Sequence, residues 1–127
     1  MEEALEGWDF SEEQKPYNIR HRAYLFAKDV TLFVGECKFG RVYSSLFDQL
    51  IRSATSVGAN LVEAKSGSSR KDWKNYFAIA LKSANETKYW LCLIRDTQSV
   101  SKTKVETLLN EADELSKIIA SIILNAS

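Results

Sequence analysis

The stretch QLIRSATSVGANLVEAKSGSSRKDWKNYFAIALKSANETKYWLCLIRDT, Gln49–Thr97, decides the fold. In its first half Leu50, Ala54, Val57, Leu61 and Ala64 recur at steps of three and four, the spacing of one helical face. Phe47, Ile51, Gly58 and Val62 widen that stripe. Gly58 costs a helix up to about 1 kcal/mol relative to alanine. Together with Ala54 it makes a small-xxx-small step that lets another backbone come close. Ser66-Gly67-Ser68-Ser69 then breaks the pattern, a loop signal. Ser69 and Asp72 stand at capping-box spacing, with Asp in place of the usual Glu. Beyond them Trp73, Phe77, Ala80, Leu81, Ala84, Leu91 and Ile94 form one stripe. Tyr76, Ile79, Ser83, Glu86, Trp90 and Leu93 form a second. A helix apolar on two sides is internal or buried in two interfaces, so Tyr76, Ile79, Trp90 and Leu93 are candidates for an oligomer interface.

The same period continues outward. Upstream, Ile19, Ala23, Phe26, Ala27, Val30, Phe33, Val34 and Cys37 define a helix, with Asn18 as its N-cap and Gly40 as its expected terminator. Downstream, Val105, Leu108, Leu109, Ala112, Leu115, Ile119 and Ile122 define another, and Thr103 with Glu106 has capping-box spacing. No segment alternates with period two long enough to be a strand, and no internal repeat is visible. Four long helices with short loops predict an all-α, up-down-up-down four-helix bundle over residues 18–127. Residues 1–17 read as a separate acidic arm. They contain the only proline, Pro16, and two aromatic anchors, Trp8 and Phe10, through which the arm is expected to pack on the body.

Composition narrows the class further. A chain of 127 residues with 45% hydrophobic and 27% charged side chains is one ordinary globular domain that needs no disulfide or metal to fold. No apolar run approaches the roughly 18 residues of a membrane span, and the start MEEALEGWDF does not resemble a signal peptide. Cys37 and Cys92 are far apart and set among apolar neighbours, which points to reduced thiols and a cytoplasmic location. The 17 basic and 17 acidic side chains cancel, but unevenly: residues 1–17 carry net −5, whereas 18–66 and 67–97 each carry +3. A neutral total can therefore conceal a basic surface.

The residues offer little for catalysis. A di-iron bundle needs Glu-x-x-His motifs on paired helices, and a zinc site needs several His or Cys at one point. The only histidine is His21, with Asn18 rather than an acid three residues before it. A Ser-His-Asp or Cys-His arrangement would have to use His21, which is read as a surface or interface residue. SGSSRK lacks the phosphate-loop pattern. No enzyme activity, cofactor or metal is expected.

Two polar sets stand out. Ser53, Ser56, Asn60 and Glu63 share one face of the second helix, and Ser83 and Glu86 share one face of the third. The structural reading is an interhelical network of Ser56, Asn60, Glu63 and Glu86 that sets register; the catalytic reading is a carboxylate pair, Glu63 and Glu86. The second set is Lys65, Arg70, Lys71 and Lys74 around the turn between these helices, interleaved with Trp73 and Tyr76. Bases and aromatics in this pattern suit phosphate and stacked nucleotides. A solvated helix start whose aromatics face the core is the other reading. Arg20, Arg22, Lys38, Arg41 and Arg52 are possible extensions of the patch.

Arg52, Ser53, Ser56, Asn60, Glu63 and Ala64, followed by Ser83, Glu86, Thr87, Tyr89 and Trp90, resemble the pattern of the bacterial four-helix-bundle family of large-subunit (23S) ribosomal RNA intervening-sequence proteins. RAYLFAKDV (Arg22–Val30) and LLNEADELSKIIASII (Leu108–Ile123) fit that family's first and last helices, so the resemblance spans about residues 18–125 and leaves out the arm. It implies a left-handed bundle assembled as a ring-like homo-oligomer, a pentamer, without catalytic activity. A related branch, the accessory variability determinant of diversity-generating retroelements, binds nucleic acid and a reverse transcriptase through a basic surface. The expectation is a non-enzymatic homo-oligomer associated with RNA or DNA. A protein-binding scaffold with no nucleic-acid contact is the alternative.

Overall fold

Asn18 starts the first helix as its residue type predicts: its Oδ1 accepts the Arg20 and His21 backbone N–H groups at 2.9 and 3.4 Å. The computed structural model describes residues 18–66 and 69–126. Four helices fill them: α1 (Ile19–Glu36), α2 (Ser44–Ser66), α3 (Arg70–Thr97) and α4 (Lys102–Asn125). A single 3-10 turn, Arg41–Tyr43, precedes α2. The acidic arm lies outside the described residues.

Two of the expected helix ends are displaced. The first helix stops at Glu36, with the Cys37 N–H bonded to the Val34 carbonyl, and Gly40 instead opens the 3-10 turn in extended backbone. The break comes early because Phe39 turns back to stack on Phe47 of α2, ring centroids 3.9 Å apart. At the last helix, Ser101 rather than Thr103 is the cap, and its Oγ accepts the Lys104 N–H at 3.2 Å. Thr103 already lies inside α4, where its carbonyl accepts the Thr107 hydroxyl. The Ser69 cap on Asp72 forms as expected, at 3.1 Å.

The helices make a ring of contacts, α1 with α2, α2 with α3, α3 with α4 and α4 with α1, with no diagonal pair among the described residues. Side-chain pairs show that neighbours run antiparallel. Ser53 and Ser56 of α2 meet Thr87 and Ser83 of α3. Lys88 and Arg95 of α3 meet Asp113 and Glu106 of α4. Lys104 near the start of α4 meets Glu36 at the end of α1. This is an all-α four-helix bundle.

Its interior changes character along its length. Toward the α1–α2 loop, large side chains fill it: Phe26, Phe33, Phe47, Leu91, Ile94 and Leu115. Toward the opposite end it narrows to Ala23, Val57, Ala64, Ala80 and Ala84, with Leu61, Phe77 and Ile119 as the bulky members. Small residues draw the helix axes together there. Gly58 takes part: a methyl at its position would lie 3.5 Å from the Ala23 side chain, ordinary contact distance. The neighbour admitted by this small step is therefore the backbone of α1.

The seam between α2 and α3 is lined by hydroxyls. Ser53 and Thr87 are fully buried. The Thr87 hydroxyl bonds Ser53 Oγ at 2.9 Å and the Ser83 carbonyl at 2.7 Å. One turn away the Ser83 and Ser56 hydroxyls bond at 2.9 Å. These partners pair only in one register. Thr87→Val keeps the shape and leaves the Ser53 hydroxyl with only the Leu50 carbonyl, at 3.2 Å, so it is expected to cost about 1 kcal/mol. Adding Ser53→Ala in the same chain should recover part of that loss. Urea unfolding of the two single variants and the double variant checks this; strict additivity would contradict it.

Candidate nucleic-acid interface

The topology gathers the start of α1, the end of α2, the start of α3 and the end of α4 at one end of the bundle. Lys65 lies in the last turn of α2, and Arg70, Lys71 and Lys74 lie in the first turns of α3. Lys65, Arg70 and Lys71 are exposed and Lys74 is half-buried. Lys65, Arg70, Trp73 and Asn125 border a basin of roughly 720 Å3. The antiparallel arrangement adds Arg20, near the start of α1, to the same end. The structure thus places all four predicted bases at one end of the bundle, with Lys65 and Arg70, but not Lys71 or Lys74, on the basin.

The aromatics interleaved with them serve the core. Trp73 stacks on Phe77 with centroids 4.2 Å apart, and both Trp73 and Tyr76 pack against the alanine-lined end of the interior. Trp73 still forms part of the basin wall, while Tyr76 does not. A cluster of cations around a half-buried indole can hold phosphates and offer one ring edge; it is not a row of free stacking platforms.

These cations differ from six others in pairing. Along the sides of the bundle several bases meet carboxylates, although Lys28 and Lys82 do not. Arg22 grips Glu111 of α4 with two bonds, at 2.6 and 3.1 Å, and Glu111 holds the Arg22 guanidinium above its ordinary value. Arg52 pairs with Glu86, Arg95 with Asp96 and Glu106, and Lys104 with Glu36. Lys88 and Lys117 share Asp113, whose carboxyl they hold below the usual carboxylate range. Among the described residues, Lys65, Arg70, Lys71 and Lys74 have no such ion pair. Of the proposed extensions, Arg22 and Arg52 are neutralised by their partners. Lys38 and Arg41 lie at the opposite end.

The polar set divides. Asn60 donates to the Ser56 carbonyl and hydroxyl at 2.8 and 3.0 Å, and Ser56 bonds Ser83. Glu86 belongs to a different group, accepting from Arg52 and from the Trp90 indole N–H, the latter at 2.9 Å. Glu63 is exposed and has no polar partner among the described residues. It is not part of the network, and with Glu86 engaged elsewhere the two do not form a carboxylate pair. Thr87 entered the sequence reading only through the family resemblance and not as part of the network; its position four residues after Ser83 is the signal that would have placed it there.

The second stripe of α3 is also mostly spent within the bundle. Ser83 faces α2, while Tyr76 and Trp90 pack against the interior. Ile79 at 44% exposed remains turned to solvent, and Leu93 is half-buried. Tyr89, 61% exposed and edge-on to Trp90, is a larger outward group on the same helix. No group of three or more His, Cys, Asp or Glu among the described residues could hold a metal ion. Burial pushes the Cys37 thiol up, away from the reactive thiolate. His21 is buried, not a surface residue. No helix is long and apolar enough to cross a membrane among the described residues.

The model of the 23S rRNA-intervening sequence protein family matches residues 15–121. The chain belongs to this family. A crystal structure at 1.70 Å of a protein of unknown function from the S23 ribosomal protein family of Bacteroides thetaiotaomicron is similar, with 38% identity and a TM-score of 0.72. The match covers 83% of this chain and 97% of that one. No curated protein matches the chain. The family match takes in all four bases and the α2–α3 seam, and leaves residues 1–14 outside it.

Unpaired cations in the first turn of a helix oppose its dipole. Lys71→Glu is therefore expected to stabilise the fold, by about 0.5 kcal/mol at low ionic strength, with the gain fading as salt is added. Thermal unfolding at two salt concentrations checks it. A loss of stability would show that Lys71 makes a structural contact.

Proposed function

We propose that the protein is a non-enzymatic homo-oligomer that binds RNA through the basic end of its bundle. The observation that carries this reading is the gathering of cations at one end: Lys65, Arg70, Lys71 and Lys74, with Arg20 beside them, have no carboxylate partner among the described residues, and Lys65 and Arg70 border the basin there. Membership of a family named for intervening sequences of ribosomal RNA genes supports RNA as that anion. A ring, a pentamer in the family resemblance, repeats the patch in every subunit, and repeated weak contacts add through effective concentration. Binding of this kind is sequence-tolerant, because phosphate contacts carry no base information. A reverse transcriptase is the protein partner that the resemblance brings with it.

The arm, at net −5, joins the chain at the start of α1, at this same end, so it competes with phosphate. Titration of labelled RNA at two salt concentrations is expected to show weak binding by the full chain and tighter binding once residues 1–16 are removed. Lys71→Glu with Lys74→Glu should weaken binding and flatten its salt dependence by about one unit of slope or more. Sedimentation of the same samples should show an oligomer at micromolar concentration, reduced to smaller species by Ile79→Asp with Tyr89→Asp. No binding by the truncated chain at low salt would overturn the RNA reading and favour a protein-binding scaffold. A monomeric wild-type chain would overturn the ring.

A further inference from the structure

An apolar groove of ≈ 470 Å3 runs between α1 and α2. Ala27 and Leu32 of α1 and Gly58, Ala59 and Val62 of α2 line it, and Arg20 and Lys28 supply positive charge along its α1 side. Leu32 at 55% and Tyr24 at 40% are among the more exposed large side chains of the described residues. A groove with an apolar floor and a basic margin fits a segment that carries large apolar side chains among carboxylates.

A second observation lies on the same helix. Ala23, Phe26, Val30 and Phe33 mark the inward face of α1. At 3.6 residues per turn, His21 falls on the opposite face, in the outer stripe shared with Lys28 and Leu32. Along that stripe Lys28 and Leu32 are open to solvent, yet His21 is only 6% exposed. Its Nε2 is buried and has no hydrogen-bond partner among the described residues. A buried imidazole nitrogen normally finds a partner, and here it faces away from the bundle, beside the point where the chain enters α1.

We propose that residues 1–17 of the chain itself occupy this face, with Trp8 and Phe10 in the groove between α1 and α2 and the arm's carboxylates against Arg20 and Lys28. The arm has the required composition: Trp8, Phe10 and Tyr17 among six acidic side chains and one lysine. It has the reach. Ten residues separate Trp8 from Asn18, which span up to roughly 33 Å when extended. The groove from Arg20 to Leu32 is roughly 18 Å long at the helical rise. It enters at the correct end, directly before Arg20 and His21. The segment over His21 also supplies the missing partner for Nε2. Almost all of the arm precedes the family match, which begins at residue 15.

The test uses the full chain labelled with 5-fluorotryptophan, which gives one fluorine signal for each of the three tryptophans, assigned by Trp8→Phe. The expected result is a Trp8 signal with the small solvent-isotope shift of a buried indole. In Ala59→Asp, which places a carboxylate in the groove, that shift should rise to the value of free tryptophan. The Trp73 and Trp90 signals should stay in place, showing an intact bundle. A Trp8 signal already at the free value in the unaltered chain would overturn the proposal. So would a Trp8 signal unmoved by Ala59→Asp while sedimentation shows that variant falling to smaller species, which would make a second copy the occupant. Neither result depends on RNA, so the fate of this proposal and that of the RNA reading are read separately.

Discussion

The close seam between α2 and α3 governs the rest of the molecule. Two helices can approach this nearly only where their facing side chains are small, and Ser53, Ala54, Ser56, Ala80, Ser83 and Ala84 supply that surface. Once hydroxyls are buried there, each must find a partner. Ser53 with Thr87 and Ser56 with Ser83 are satisfied together in one register. Sliding α3 by one turn would break both interhelical bonds, leaving Ser53, Thr87 and Ser56 only their partners within their own helices, at about 1 kcal/mol for each bond lost. The apolar core supplies most of the driving force, but it is tolerant of sliding in a way that the hydroxyl pairs are not.

Register at this seam fixes what lies at its end. With α2 and α3 locked, Lys65 and Arg70 are held across a short loop. The rest of the ring brings Arg20 and the end of α4 to the same place. The flank charges follow the same logic in reverse. Arg22 with Glu111, Arg52 with Glu86 and Lys88 with Asp113 each join two helices, so their charges are consumed in assembling the bundle. Lys65, Arg70, Lys71 and Lys74 take no part in that pairing. A molecule with no net charge thereby keeps a group of unpaired bases at one end, while residues 1–17, at net −5, join α1 at that end.

Much of this was legible in the residues. Periodicity located the four helices, and the Asn18 and Ser69 caps form as their side chains predict. Gly40 and Thr103 misled because helix ends are decided by what lies beyond them: Phe39 reaching Phe47, and Ser101 standing first in line for a free amide. Glu63 and Glu86 show the same limit within the candidate site. Spacing put each on a polar face, but only the neighbouring helix decides whether that face is covered, and Glu86 meets Arg52 while Glu63 meets solvent. Likewise Trp73 and Tyr76 sit among bases in sequence, yet residues three apart share one face of a helix, and here that face packs against the interior. The Ala54–Gly58 step signalled that a backbone comes close to α2, but not that the neighbour is α1 at Ala23 or that a groove opens beside the contact.

Native-state hydrogen exchange tests the primacy of the α2–α3 seam most directly. If this seam organises the fold, the amides of residues 53–60 and 80–87 open only with global unfolding, and their exchange free energies equal the stability measured by denaturant. Amides near the outer ends of α1 and α4 exchange through smaller openings. Slower exchange in α1 and α4 than in the seam, or a seam that opens while the rest of the bundle stays protected, would contradict the account.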